Sequence, residues 1–237
     1  MILYSVIIFA ASLIQGMTGF GFSLIAMPIL ALFMPLKIIV PILVVCSLGL
    51  NLIIFFRLEG QLHLKRILVM LVIGIASTPL GVQLLTVVDE VYLKAGVGIL
   101  IILSSIVMYK GLHVEFKSKQ LTYAVTGFLS GVLNGSVSLS GPPVVLMLVN
   151  EGTSKNDFKK NISAFFLALN IFTIPSFLAK GLLSTEVMKL SGIGMGVIIV
   201  GALLGIRIGE GIREEKFKNI VLGMIMLMGC MSLVSIF

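Results

Sequence analysis

Gln15-Gly16-Met17-Thr18-Gly19-Phe20-Gly21-Phe22-Ser23 interrupts an apolar stretch that runs from residue 3 to 34, and Asn134-Gly135-Ser136-Val137-Ser138-Leu139-Ser140-Gly141-Pro142-Pro143 interrupts a second from 121 to 149. Lipid offers no partner to backbone groups freed by a helix break, so both interruptions must face protein or a water-filled cavity. A pair of broken hydrophobic segments at corresponding places in two halves of a chain marks a transporter binding site.

The rest of the chain fits a membrane. Of its 237 residues, 58% are hydrophobic and 11% charged, with no Trp, and the mean hydropathy is +1.18. A soluble core cannot hide that much apolar surface, so the predicted fold class is an all-α polytopic membrane protein. The net charge of +7 lies in loops between apolar segments, where it serves topology and lipid headgroups. Membrane lipid is therefore an expected partner and nucleic acid is not. The N-terminus, Met1 to Val6, is apolar from the start, lacks the basic flank of a cleavable signal, and is expected to be retained. Cys46 and Cys230 fall inside apolar segments, and His63 and His113 in loops, all without companions at metal-ligand spacing. No metal or other cofactor is expected.

Three apolar segments follow each broken stretch, at roughly 38–56, 67–86 and 93–109, then 161–179, 189–206 and 217–237. The period indicates a duplicated unit. Tyr4 and Tyr123 stand 119 residues apart, as do Gly16 and Gly135, and Leu50-Asn51 and Leu169-Asn170. Further on the offset becomes 124, pairing Leu80-Gly81-Val82-Gln83 with Leu204-Gly205-Ile206-Arg207, and Leu93-Lys94 with Phe217-Lys218. The repeats are assigned to residues 1–114 and 115–237 of a single integral membrane domain.

Length and charge together set the topology. As one straight helix, residues 3–34 would measure about 48 Å, against a hydrocarbon core of about 30 Å. Cut at the glycines, each arm has roughly 15 residues and measures about 22 Å, which suits a re-entrant or barely spanning hairpin. If each broken stretch crossed once, the 17 basic residues would divide nine against eight. If each is a hairpin, only Lys37, Lys94, Lys180 and Lys189 lie on one side and the other thirteen on the opposite side. That bias obeys the positive-inside rule, with the basic side cytoplasmic and both termini extracytoplasmic. Each half then enters the membrane five times. An odd number inverts the second half, giving two inverted repeats, each a broken hairpin plus three transmembrane helices.

The second arm of each hairpin starts near mid-membrane, so its unpaired N–H groups and positive dipole end form an anion site. Ser140-Gly141-Pro142 has the form of such a start, with serine as N-cap and proline in the first turn; in the first copy Thr18 or Ser23 is the cap. Gly16, Gly19, Gly21, Gly135 and Gly141 would let backbone approach a small ligand closely. With Gln15, Asn134, Ser136, Ser138 and Pro142 they complete the expected substrate site. The plainer account is that these glycines and serines pack helices and bond backbone. Asn51 and Asn170, inside apolar segments, touch the ligand or brace the hairpins. Gln83 and Arg207 occupy equivalent positions; Arg207 either snorkels beside Glu210 or collects anions at the mouth. No Asp, Glu, Lys or His occupies the middle of an apolar segment, so the cavity is neutral and donor-rich, which suits a small anion. Nothing at membrane depth has the form of an enzyme's carboxylate pair, Ser-His pair or metal cluster.

The run Gln15 to Gly21 followed by Met27-Pro28, Gly127-Phe128-Leu129-Ser130-Gly131 leading to Ser140-Gly141-Pro142-Pro143, and Leu204-Gly205-Ile206-Arg207-Ile208-Gly209 carry a resemblance. Over essentially its full length the chain resembles the TauE/SafE family of sulfite exporters. The resemblance implies a prokaryotic plasma-membrane transporter of sulfur-containing anions such as sulfite or organosulfonates, usually outward. The expectation is thus a secondary transporter, with a channel-like anion pore or a carrier of another small anion as alternatives and a homodimer as a possible assembly.

Overall fold

The structure is a computed structural model that describes residues 1–93, 95, 96, 99, 118–213, 216, 217, 220 and 223. Its principal elements are α1 (Ile2–Thr18), α2 (Phe22–Leu30), α3 (Leu36–Arg57), α4 (Leu64–Val87), α5 (Lys119–Val137), α6 (Gly141–Asn150), α7 (Lys155–Ala179) and α8 (Thr185–Glu210). No strand occurs among the described residues. Most of the segments 93–109 and 217–237, the boundary between residues 114 and 115, His113 and Cys230 lie outside them.

Both expected breaks are present, and a left-handed residue makes each. At the end of α1, Gly19 (φ 87°) turns the chain while its N–H bonds Gln15 O at 2.6 Å, and Gly21 (φ 106°) turns it again before Phe22 starts α2. Glycine carries no Cβ to oppose either conformation. At the end of α5 the same place is taken by Ser138 (φ 59°), whose N–H bonds Asn134 O at 3.1 Å while Leu139 N–H reaches back to Leu133 O at 3.2 Å. The arms are unequal, at 17 and 9 residues in the first copy and 19 and 10 in the second, rather than roughly 15 each. The helix stops at the left-handed residue, three positions beyond the first glycine of each run.

Those first glycines remain helical because they are pressed against another helix. A Cβ on Gly16 would sit 2.6 Å from Ala202 O and 3.1 Å from Gly205 Cα; one on Gly135 would sit 2.5 Å from Thr78 O and 2.8 Å from Val82 N. Small residues let backbones approach this closely where lipid supplies no hydrophobic drive. The second contact is the first one displaced by the offsets read from the sequence, 119 residues on one side and 124 on the other. Accordingly α1 packs along α8 and α5 along α4, so each half lays its first helix on the other half. α3 and α7 cross between them.

Leu36–Arg57, Ile67–Val87, Lys155–Ala179 and Thr185–Glu210 are long and apolar enough to cross a membrane, and Ile2–Thr18 is a shorter apolar helix. The chain is thus a multi-pass membrane protein. α3 is the central span, 61% buried against 33% for α8. One end of the bundle gathers polar contacts: Asn161 Nδ2 donates to Gln61 O at 2.7 Å, and Lys160 Nζ to Leu58 O at 2.9 Å. Lys155 Nζ donates to Ile212 O at 2.7 Å at the same end. Lys155, Lys159 and Lys160, read from sequence as loop charges, belong to the first turns of α7, which starts six residues before the apolar segment does. Ser154 Oγ caps that start by accepting Asp157 N–H at 3.3 Å.

Candidate functional site

The two breaks meet. Ser23 Oγ, in the first turn of α2, lies 3.0 Å from Ser138 Oγ, the left-handed residue of the other break. Around this contact Gln15, Gly21, Ser23, Leu24, Ser47, Asn134, Ser138, Leu139, Ser140, Gly141 and Phe166 line a cavity of about 20 Å³. A single water needs roughly 10–15 Å³ by this measure, so a four-atom anion enters only if the cavity widens.

A pair of matching amide clamps supports the cavity. Gln15 Oε1 accepts Phe22 N–H at 3.0 Å, across the break, while its Nε2 donates to Asn51 Oδ1 at 3.0 Å. Asn51 Nδ2 in turn donates to Ser47 O at 2.7 Å. In the other half Asn134 Nδ2 donates to Asn170 Oδ1 at 3.0 Å and to Thr173 Oγ1 at 2.9 Å. Asn51 lies about 9 Å from the end of α3, and Asn170 about 13 Å from the end of α7, so both clamps are well inside the helical layer. Both asparagines bond a side chain from the first helix of their own half. Both are buried; Asn51 is bonded at its oxygen and its nitrogen, and Asn170 at its oxygen, which lowers the cost of an amide among apolar residues.

The sequence-predicted residues divide accordingly. Gln15, Gly21, Ser23, Asn134, Ser138, Ser140 and Gly141 line the cavity, whereas Gly16 and Gly135 hold helices together. Thr18 Oγ1 donates to Ile14 O at 2.8 Å and Phe20 O at 2.7 Å, closing α1 rather than starting α2. Ser136 Oγ donates to Val132 O at 2.7 Å within its own helix. Gly19 lies against the stem of Lys159, and Pro142 is buried in the first turn of α6. Gln83 and Arg207 are exposed, and Gln83 Oε1 accepts from Lys180 Nζ at 2.6 Å.

Donors at the cavity come unequally from the two halves. Ser140 is the N-cap of α6, but its own backbone is already helical (φ −67°, ψ −14°) and its hydroxyl caps nothing. Pro142 and Pro143 carry no N–H, so of the first three residues of α6 only Gly141 presents an amide. The start of α2 presents the amides of Ser23 and Leu24, with Phe22 N–H committed to Gln15. Serine hydroxyls make up the difference in the second half. Among the described residues, no three His, Cys, Asp or Glu side chains gather at metal-binding distance.

Sequence reasoning missed Ser47, Leu24, Leu139 and Phe166 as lining residues. Ser47 was recoverable, because it stands one helical turn before Asn51 and so shares its face. Lys159, 1% exposed and beside the first break, left no such trace.

A family profile described as sulfite exporter TauE/SafE matches residues 4–232. Neither the curated proteins nor the solved structures contain a match to the chain.

Proposed function

The chain belongs to the TauE/SafE sulfite exporter family, and from that premise we propose that it exports small sulfur-containing anions, sulfite or organosulfonates, across a prokaryotic plasma membrane as a secondary transporter. The anion sits in the cavity between the two breaks, held by the hydroxyls of Ser23, Ser138 and Ser140 and the first amides of α2 and α6. The positive ends of those two helix dipoles replace a fixed counter-charge. The contact of Ser23 with Ser138 carries this reading, since it brings the interrupted stretches of both halves to one point.

The repeats are related by inversion, with the basic end cytoplasmic and both termini outside. The paired packing of α1 on α8 and α5 on α4 supports a two-fold relation, because it exchanges the halves. Loading requires the hairpins to separate and the Ser23–Ser138 bond to give way to the anion. Rocking one half against the other opens the cavity to each side in turn. Purified protein in proteoliposomes is expected to give saturable flux of radiolabelled sulfite. Absence of saturable flux with every sulfur oxyanion tried would refute the substrate, and large unitary currents would refute the carrier in favour of a pore.

A further inference from the structure

Lys159, in the second turn of α7 at the basic end of the bundle, is a buried cation that the proposed site does not use. It belongs to a spanning helix, is 1% exposed, and its methylene stem packs on the first break: a Cβ on Gly19 would meet Lys159 Cγ at 3.1 Å and Cα at 3.2 Å. Its ammonium lies beside the last turn of α8, where a Cβ on Gly209 would meet Nζ at 2.8 Å, and 5.4 Å from the centre of the Phe217 ring. Among the described residues none forms a hydrogen bond or ion pair with it. Its neighbours behave differently. Lys155 Nζ is spent on carbonyls that end α8, and Lys160 Nζ on those that end α3. A largely desolvated ammonium with no direct partner is costly, and of the charges near it Glu210 favours the ammonium while Lys155 opposes it.

An aromatic seal closes over it. Phe20, the residue between the two left-handed glycines, meets Phe158 edge-on at 6.0 Å, and Phe158 meets Phe217 edge-on at 5.7 Å. All three rings are buried. The rings therefore link the first break to Phe217 at the basic end of the bundle. At the other break the sequence offsets put Leu139, Ile39 and Leu93 in place of the three rings and Val40 in place of Lys159. That layer is aliphatic and uncharged, so Lys159 is matched by no charge at the equivalent place beside the other break.

Resting on the transport reading above, we propose that Lys159 is the capture point for the anion on the basic face, uncovered when Phe20, Phe158 and Phe217 part. The anion pairs first with this ammonium and then passes over Gly19 to the cavity, which Gly21 lines two residues on. At the equivalent position Val40 offers the opposite face no such charge.

The test is sulfite transport in proteoliposomes of uniform orientation, with the anion presented to each face in turn. Lys159→Met, which keeps the stem and deletes the charge, is expected to raise the half-saturating concentration at the basic face about tenfold and to change that at the other face less than twofold. Lys159→Arg should stay within about threefold of wild type at both. Wild-type vesicles that move no sulfite would overturn the function itself. Wild-type flux combined with no change in Lys159→Met, or with equal change at both faces, would overturn the capture point alone. Should Lys159→Met fail to assemble, acetylation of wild-type lysines read by mass spectrometry decides. Saturating sulfite should protect Lys159 at least fivefold more than exposed Lys119, and equal protection of the two would overturn the assignment.

Discussion

Alanine at Gly141 separates a ligand site from a packing contact. A methyl there would meet Leu24 Cδ1 and Phe166 Cζ at 3.7 Å, which is ordinary van der Waals contact, and the backbone is not left-handed. Removing a helical glycine favours folding by roughly 0.5–1 kcal/mol, so Gly141→Ala should fold with unchanged or slightly raised stability. The methyl nevertheless projects into a cavity of about 20 Å³ that must expand around an anion. Overpacking of a filled site costs about 1–3 kcal/mol, which falls on the loaded state and weakens sulfite binding roughly 5–150-fold. Gly135→Ala makes the opposite case. Its methyl would lie 2.5 Å from Thr78 O, backbone that cannot step aside, so the cost of about 1–3 kcal/mol falls on the folded protein itself. Thermal unfolding in detergent and sulfite flux in proteoliposomes, measured on both variants, should therefore diverge. Wild-type flux from Gly141→Ala would refute the cavity as the anion site, and a Gly135→Ala protein as stable as wild type would refute the close helix contact.

Three further outcomes follow from the same geometry. Gln15→Leu strands Phe22 N–H and Asn51 Oδ1, at about 1–3 kcal/mol each in a buried site, while Gln15→Leu with Asn51→Leu should recover part of that loss; a double-mutant cycle on unfolding midpoints with no positive coupling would show the clamp to be unimportant. Ser138→Ala and Ser138→Gly both lose the bond to Ser23 and only alanine keeps a Cβ at φ 59°, so Ser138→Ala should be less stable than Ser138→Gly by about 1 kcal/mol, and the reverse order of melting temperatures would contradict the left-handed assignment. Lys160→Met removes the cap on Phe55 O and Leu58 O and the 4.3 Å contact with the Phe55 ring, which should lower stability by roughly 1.5–3 kcal/mol; an unshifted denaturation curve would rule that anchor out.

Much was legible before any coordinates, for identifiable reasons. Helical breaks in a membrane need residues that tolerate left-handed backbone or leave amides unpaired, and Gly19, Gly21 and Pro142 announce that locally. The 119-residue offset of Asn51 and Asn170 likewise predicted two equivalent polar positions, while their pairing with Gln15 and Asn134 emerged only from the structure. What spacing does not encode is which side of a helix a small residue turns toward. Gly16 and Gly21 read alike in the sequence, yet one holds α8 and the other lines the cavity.

The amino-acid sequence alone determined that the chain is helical, lies in a membrane and breaks in two places, because hydropathy, glycine and proline act on the backbone within a few residues of themselves. Only the tertiary structure decided that the breaks touch through Ser23 and Ser138, that Gly135 belongs to packing while Gly141 lines the cavity, and that Lys159 is buried instead of solvated. Those outcomes depend on how α1 and α8, and α4 and α5, approach each other. Such distances arise from the whole bundle settling at once.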